Sequence, residues 1–279
     1  MNKWIIAAAL LAAGVAQAKQ VDKPDDNTLW MEDGKEIETG KLGFHRWTPE
    51  QGDKALEIKP KEDGKGFSFF AKDKNGRKVI TVVKVSPEYP YLVFRITDFE
   101  LLNGYRNWTV NTEIGNILYS QVTAPQKGIF VFDLFRNLPE KDAAKKAAYL
   151  RFWVYNLRME FEYIKMVKKP AYVVRAECAD PVIRPGSKVK FTAELEKEAE
   201  DVSISLIGGR PIKVNGSVKI QLKPVDKTQK IWSAEVEIKS IAIKDNKTLG
   251  RHRAIMKMDV LGGDLDEPVW VGLPYPVTP

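Results

Sequence analysis

The chain has 279 residues, 44% hydrophobic and 29% charged, with a formal net charge of +7 and one cysteine. This excludes a disulfide-stapled miniprotein and a disordered chain, and leaves room for two packed domains. The lysines are scattered through turns and strand edges rather than gathered into runs, so no nucleic-acid stripe is present, although the excess positive charge favours weak attraction to anionic polymers such as sulfated or uronic polysaccharides.

The first residues, Met1-Asn2-Lys3, an apolar run over 4–15 and Ala16-Gln17-Ala18 before Lys19, read as an export signal peptide cleaved after Ala18. That run is too short to span a bilayer comfortably, and no later stretch approaches the required apolar length. A soluble mature protein, periplasmic or secreted, is the expectation. The only cysteine, Cys178, is far from the cleavage point, so the sequence has no lipid-attachment cysteine and can form no internal disulfide. Its place in an alternating segment predicts a buried, inert thiol.

Residues 19–27 are polar, contain Pro24 and read as an extended lead. Short strands follow: Leu29-Trp30-Met31 before the Asp33-Gly34 turn, then 55–58, 66–70, and 79–83 after Asn75-Gly76. The aromatic and β-branched run over 90–99 and the run over 128–134 are further strands, with a loop composition at Asn103-Gly104-Tyr105-Arg106-Asn107-Trp108 between them. Residues 141–148, rich in alanine and lysine after Pro139, predict a helical turn or two. Strands over 149–155 and 159–167 then meet at the turn Asn156-Leu157-Arg158. Alternation puts Leu150, Phe152 and Val154 on one face of the first strand and Arg151, Trp153 and Tyr155 on the other.

Lys168-Lys169-Pro170 breaks the pattern, because proline cannot donate to a ladder, and a domain boundary is placed there. Beyond it, strands at 172–178, 188–195, 202–206, 218–222, 232–238 and 254–260 keep period-two alternation between turn residues. The fold class is all-β: a signal peptide (1–18), a lead (19–27), a β-sandwich (28–169) and a second β-sandwich (171–279).

The closing strand pair over 149–166, ending at Pro170, resembles the end of the jelly-roll sandwiches of the galactose-binding-like superfamily, which includes many carbohydrate-binding modules. The second domain is similar to the immunoglobulin-like or fibronectin-like domains found beside them, with Val182-Ile183-Arg184-Pro185-Gly186-Ser187-Lys188-Val189 as its entry turn and strand. It lacks the paired cysteines of antibody domains, and Trp232 is the residue available to fill a comparable part of the core. The resemblance implies a jelly roll followed by an immunoglobulin-like sandwich, and a structural calcium is common in such jelly rolls. Asp25, Asp26 and Glu32 are conceivable ligands, but no calcium-loop spacing joins them and no metal is assigned.

The two histidines, His45 and His252, stand far apart, each beside an arginine, which rules out a histidine-built zinc site. No serine sits in a nucleophile elbow and no phosphate-binding glycine loop appears. Asp98, Glu100, Asp133, Glu160 and Glu162 lie on or beside predicted strands and contain the residue types a glycoside hydrolase needs. Alternation alone accounts for them as solvent-facing positions, so the sequence predicts a non-catalytic protein without cofactor.

Sugars offer flat C–H patches rimmed by hydroxyls, and proteins bind them with exposed aromatic rings flanked by charged or amide groups. Arg151, Trp153 and Tyr155 on one strand face fit this description. So do Tyr105, Asn107 and Trp108 in the predicted loop, and Trp47 near His45. Against this stands burial, the default for tryptophan, with the 141–148 connection or the second domain as covers. The expected partner is therefore a glycan, or alternatively another exported protein docked on the aromatic face as part of a periplasmic or secreted assembly.

Overall fold

The computed structural model describes residues 26–32, 48–49, 56–62, 66–71, 77–102, 107–112, 115–121, 126–136, 147–208, 210–243, 254–262 and 267–279. All regular elements among them are β-strands: β1 (Thr28–Glu32), β2 (Thr48–Pro49), β3 (Leu56–Pro60), β4 (Phe67–Ala71), β5 (Arg77–Lys84), β6 (Tyr91–Leu101) and β7 (Asn107–Thr112). Next come β8 (Gly115–Gln121), β9 (Gly128–Asp133), β10 (Ala147–Tyr155), β11 (Leu157–Val167), β12 (Val173–Cys178), β13 (Lys188–Glu194) and β14 (Asp201–Ile207). The last are β15 (Pro211–Val214), β16 (Lys219–Gln221), β17 (Lys223–Pro224), β18 (Ile231–Glu237), β19 (Ile241–Ala242), β20 (Ile255–Leu261) and β21 (Val269–Gly272).

These strands form three sheets. The largest has twelve strands in the order β19-β15-β14-β20-β21-β9-β6-β11-β4-β3, with β1 beside β11 and β16 beside β14. A five-stranded sheet runs β2-β5-β10-β7-β8, and a four-stranded sheet runs β12-β13-β18-β17.

Side-chain alternation turns these sheets into a layered β-sandwich. On β6, Leu92, Phe94 and Ile96 enter one buried cluster and Val93 enters a second. On β9, Phe130 and Phe132 face the first cluster, while Ile129 and Val131 face the second. The first cluster is closed by Trp108, Val110, Leu150, Phe152 and Val154 of the five-stranded sheet, and the second by Val174, Val189, Phe191 and Trp232 of the four-stranded sheet. Strands buried on both faces read as continuous apolar runs, which is why 128–132 shows no polar alternation. Phe94 is the hub of the first core, with ring centroids of Phe130, Phe152, Phe132, Phe161 and Trp108 at 5.0, 5.4, 5.7, 5.9 and 6.3 Å. Trp232 fills part of the second core, its Nε1 donating to the Gln229 carbonyl at 2.8 Å. Cys178 is half-buried on the outermost strand of its sheet.

The strand sets on either side of Pro170 share the large sheet, because β21 pairs in parallel with β9: Val269 with Ile129, Trp270 with Phe130, Val271 with Val131. Trp270 crosses into the first core, stacked on Phe130 at 5.6 Å and 4°, and donates its indole N–H to the Lys127 carbonyl at 2.9 Å. The backbones approach closely at this seam. Ile129 N–H donates to the Pro268 carbonyl at 3.1 Å, and Gly128, at φ +125°, leaves no space for a Cβ, which would lie 2.2 Å from that same oxygen. A second tie comes from Arg136, whose guanidinium donates to the Ala176 carbonyl of β12 at 3.0 Å and lies over the Tyr275 ring.

The strands expected at 149–155 and 159–167 meet at a turn but do not pair: β10 belongs to the five-stranded sheet and β11 to the twelve-stranded one, and the chain crosses between layers at Asn156 alone. Asn156 adopts φ +48°, a left-handed conformation that asparagine tolerates, and its carbonyl accepts from Leu102 N–H at 2.9 Å. The predicted helical turn at 141–148 lies outside the described residues as far as 146, and its last two residues, Ala147 and Ala148, open β10.

Candidate functional site

The five-stranded sheet is an outer layer with one face in the first core. β10 is its middle strand, flanked by β5 and β7, and its burial alternates strictly: Ala148, Leu150, Phe152 and Val154 are buried, while Tyr149, Arg151, Trp153 and Tyr155 are half-exposed on the outer side. The aromatic and cationic face expected from the sequence therefore exists. Among the described strands, those that β10 chiefly packs against are β5, β7 and, across the core, β4.

On this face the side chains are organised in two stacks. Trp153 and Tyr155 lie with ring centroids 5.5 Å apart at 24°, and the Arg151 guanidinium carbon lies 4.8 Å from the centre of the Tyr149 ring. A strand rises about 3.4 Å per residue, so the row from Tyr149 to Tyr155 extends about 20 Å, enough for several consecutive sugar rings. In register, Trp153 stands between Lys78 of β5 and Thr109 of β7, Arg151 between Ile80 and Asn111, and Tyr155 opposite Asn107.

The remaining candidates separate. Trp108, expected in a loop as a sugar-binding ring, is a core residue of β7: it is fully buried, and its indole N–H donates to Gln126 Oε1 at 2.8 Å. The reason is the alternation of Trp108 and Val110 with Asn107, Thr109 and Asn111, which places the two apolar side chains in the first core. Asn107 likewise belongs to strand β7 and not to a loop. Tyr105, Trp47, His45 and His252 lie outside the described residues. Tyr149 was missed, although the period of two that singles out Arg151 extends back to it.

No protein-family model and no curated protein sequence matches this chain. Solved structures do. A DUF4785 family protein from Legionella pneumophila is 15% identical over 81% of this chain and 68% of its own, with a TM-score of 0.25. A β-1,2-glucanase from Parabacteroides distasonis is 10% identical over 90% of this chain and 38% of its own, with a TM-score of 0.24. The N-terminal CBM22-1-CBM22-2 tandem domain of Xyn10C from Paenibacillus barcinonensis is 9% identical over 85% of this chain and 86% of its own, with a TM-score of 0.27.

The carboxylates considered for hydrolysis lie mostly on the far side of the sandwich, on the outward face of β6 and β11, and are tied into ion pairs. Asp98 meets Lys127 at 2.7 Å and Arg158 at 3.4 Å, and Arg158 also meets Glu100 at 3.3 Å and Glu160 at 3.5 Å. Arg95 joins Glu162 and Glu267. The hydrogen bond from Lys127 holds the Asp98 carboxyl below the usual carboxylate range, the wrong direction for a general acid. Burial raises Asp133, whose Oδ1 accepts from Phe135 N–H at 3.0 Å.

For calcium, Asp25 lies outside the described residues, and Glu32 points into the sandwich beside Trp30, opposite Ile164 on β11. Among the described residues no group of three or more histidine, cysteine, aspartate or glutamate side chains could hold a metal ion, and no helix is long and apolar enough to cross a membrane. A cleft of about 360 Å³ opens elsewhere, where β11 gives way to Pro170, and its Lys169 and Glu194 neutralise each other at 2.6 Å.

Proposed function

We propose that this chain is an exported, non-catalytic glycan-binding protein that holds its ligand on the outer face of the five-stranded sheet. The observation that carries this reading is the half-exposed row Tyr149, Arg151, Trp153 and Tyr155 on the middle strand of an outer layer. Half-exposed rings on a strand buried on its other face are held in place by the core, so little side-chain order remains to be lost on binding. Stacking on sugar C–H faces then supplies affinity and the flanking guanidinium supplies hydrogen bonds. In its finer form the proposal reads the layer pair around Phe94 as a jelly roll of the galactose-binding-like kind, and the strands after Pro170 as an immunoglobulin-like sandwich fused to it. Export rests on the segment Met1-Asn2-Lys3 to Ala18, and N-terminal sequencing of the mature protein is expected to begin at Lys19.

A glycan array probed with the processed protein tests the binding reading. At least one glycan class is expected to bind, and Trp153→Ala is expected to weaken it tenfold or more, about 1.4 kcal/mol, while changing unfolding free energy by no more than about 1 kcal/mol. Undiminished binding by both Trp153→Ala and Tyr155→Ala would remove this face from the site. An empty array would remove the reading.

A further inference from the structure

We infer that β1 is a strap that the sandwich releases in alkaline solution: when Glu32 loses its proton, β1 unpairs from β11 while the remaining strands stay in place. The sheet topology permits this. β1, five residues long, lies off the main path of the twelve-stranded sheet, and among the described strands its one partner is β11. β11 does not depend on it, since its other edge keeps ten register positions with β6, from Leu157 with Leu101 to Val167 with Tyr91. Lifting β1 therefore breaks no other described strand pairing. The start of the strap is anchored: the Asn27 carbonyl accepts from Lys168 N–H at 2.8 Å, and the Asn27 side chain exchanges two hydrogen bonds with the Lys169 backbone, each 2.9 Å. A strand held along one side opens more readily than the sheet it hangs from.

The inward face of β1 carries two opposed side chains. Trp30 is fully buried and donates its indole N–H to the Lys84 carbonyl of the five-stranded sheet at 2.6 Å, which holds the strap shut. Glu32, 1% exposed at the end of the same strand, has an Oε1 that accepts no hydrogen bond. No described titratable side chain faces it to offset a charge. On β11 its neighbours in the core are Ile164 and Met166, whereas Glu162 pairs with Arg95 and Lys165 lines the cleft beside Pro170. On β5, Lys84 turns its carbonyl to Trp30 and its side chain is exposed. The other walls of this core, on β4, β6 and β10, include Phe67, Leu92 and Leu150. With β1 in place, burial pushes the Glu32 carboxyl from 4.5 up to about 8, and with β1 out it titrates in water as an ordinary glutamate. Between those values the paired strand keeps a proton that the released strand has lost. The proton's contribution to closure is complete below about pH 4.5 and gone above about pH 8, where release is favoured by up to about three thousandfold over its acid value.

Amide hydrogen exchange of the full mature chain tests this, read by mass spectrometry at pH 6 and pH 9 and corrected for the intrinsic pH dependence of exchange. Residues 28–32 are expected to lose protection by about tenfold or more between the two, while 91–101 and 157–163 keep theirs within about threefold. Glu32→Gln, which retains the shape without the charge, is expected to keep 28–32 protected at both pH values. Glu32→Met repeats the comparison with an apolar side chain of similar length, and circular dichroism and the unfolding midpoint at pH 6 show that each variant is folded. The inference is overturned by unchanged protection of 28–32 at pH 9, by an equal loss in 28–32 and 91–101, which would mean that the whole sandwich opens, or by an alkaline loss that persists in the folded variants.

Discussion

Replacing Gly128 by alanine is expected to destabilise the protein by about 4 kcal/mol, read as a lower midpoint in urea denaturation. Two costs combine. At φ +125° an L-residue is strained wherever it sits, and the new methyl carbon would lie 2.2 Å from the Pro268 carbonyl oxygen and 3.1 Å from the Trp270 indole nitrogen. The seam must therefore open, losing the Ile129–Pro268 hydrogen bond and the Phe130–Trp270 stack. Gly216→Ala is the control, because Gly216 has φ +84° but nothing within 4 Å of an added Cβ. It should cost only the backbone strain, about 1 kcal/mol. Equal midpoints for the two variants would show that the close approach at Gly128 carries no stability.

Glu32→Gln is expected to stabilise the protein increasingly as pH rises, by about 3 kcal/mol at pH 7 and by almost nothing at pH 4. Glu32 is 1% exposed, and burial pushes its carboxyl from an ordinary 4.5 up to about 8. Between those values the folded protein keeps a proton that the unfolded chain has released. Stability contributed by that proton is complete below about pH 4.5, falls as pH rises through the window, and is lost above about pH 8. Glutamine keeps the shape of the neutral acid and cannot ionise, so it removes the slope. The measurement is the difference in unfolding free energy between wild type and variant from pH 4 to pH 8, in which the opposite trend of Asp98, held low by Lys127, cancels. A difference that does not change with pH would mean that Glu32 is ionised in the folded protein.

Much of this fold is legible in the sequence because most strands face water on one side. β10 and β11 announce themselves by alternation, β6 by its aromatic and β-branched run, and β12, β13, β14 and β18 again by alternation, each found within one or two residues of its ends. The candidate face was legible for the same reason: a strand whose inner positions are Leu150, Phe152 and Val154 must show Arg151, Trp153 and Tyr155 to the other side. Trp108 was misplaced because asparagine and glycine upstream resemble loop punctuation, although the alternation of Asn107-Trp108-Thr109-Val110 already favoured a strand with tryptophan inward. The sheet change at Asn156 left no signal, since a sharp turn between two amphipathic strands looks alike whether they pair or part. Nor did β21. Its partner β9 lies some 140 positions earlier, and nothing local in Val269-Trp270-Val271 says which edge it will join.

That late pairing also sets an order of assembly. A ribosome delivers β9 long before β21, so the nascent first sandwich has Phe130 stacked on Phe94 but not on Trp270, and an open strand edge ending in Ile129 and Val131. Completion of the first core must wait for residues 269–272, and until then that edge needs shelter, from a chaperone or from the delay of folding itself. Shortened chains ending before residue 269 are therefore the forms from which aggregation would begin.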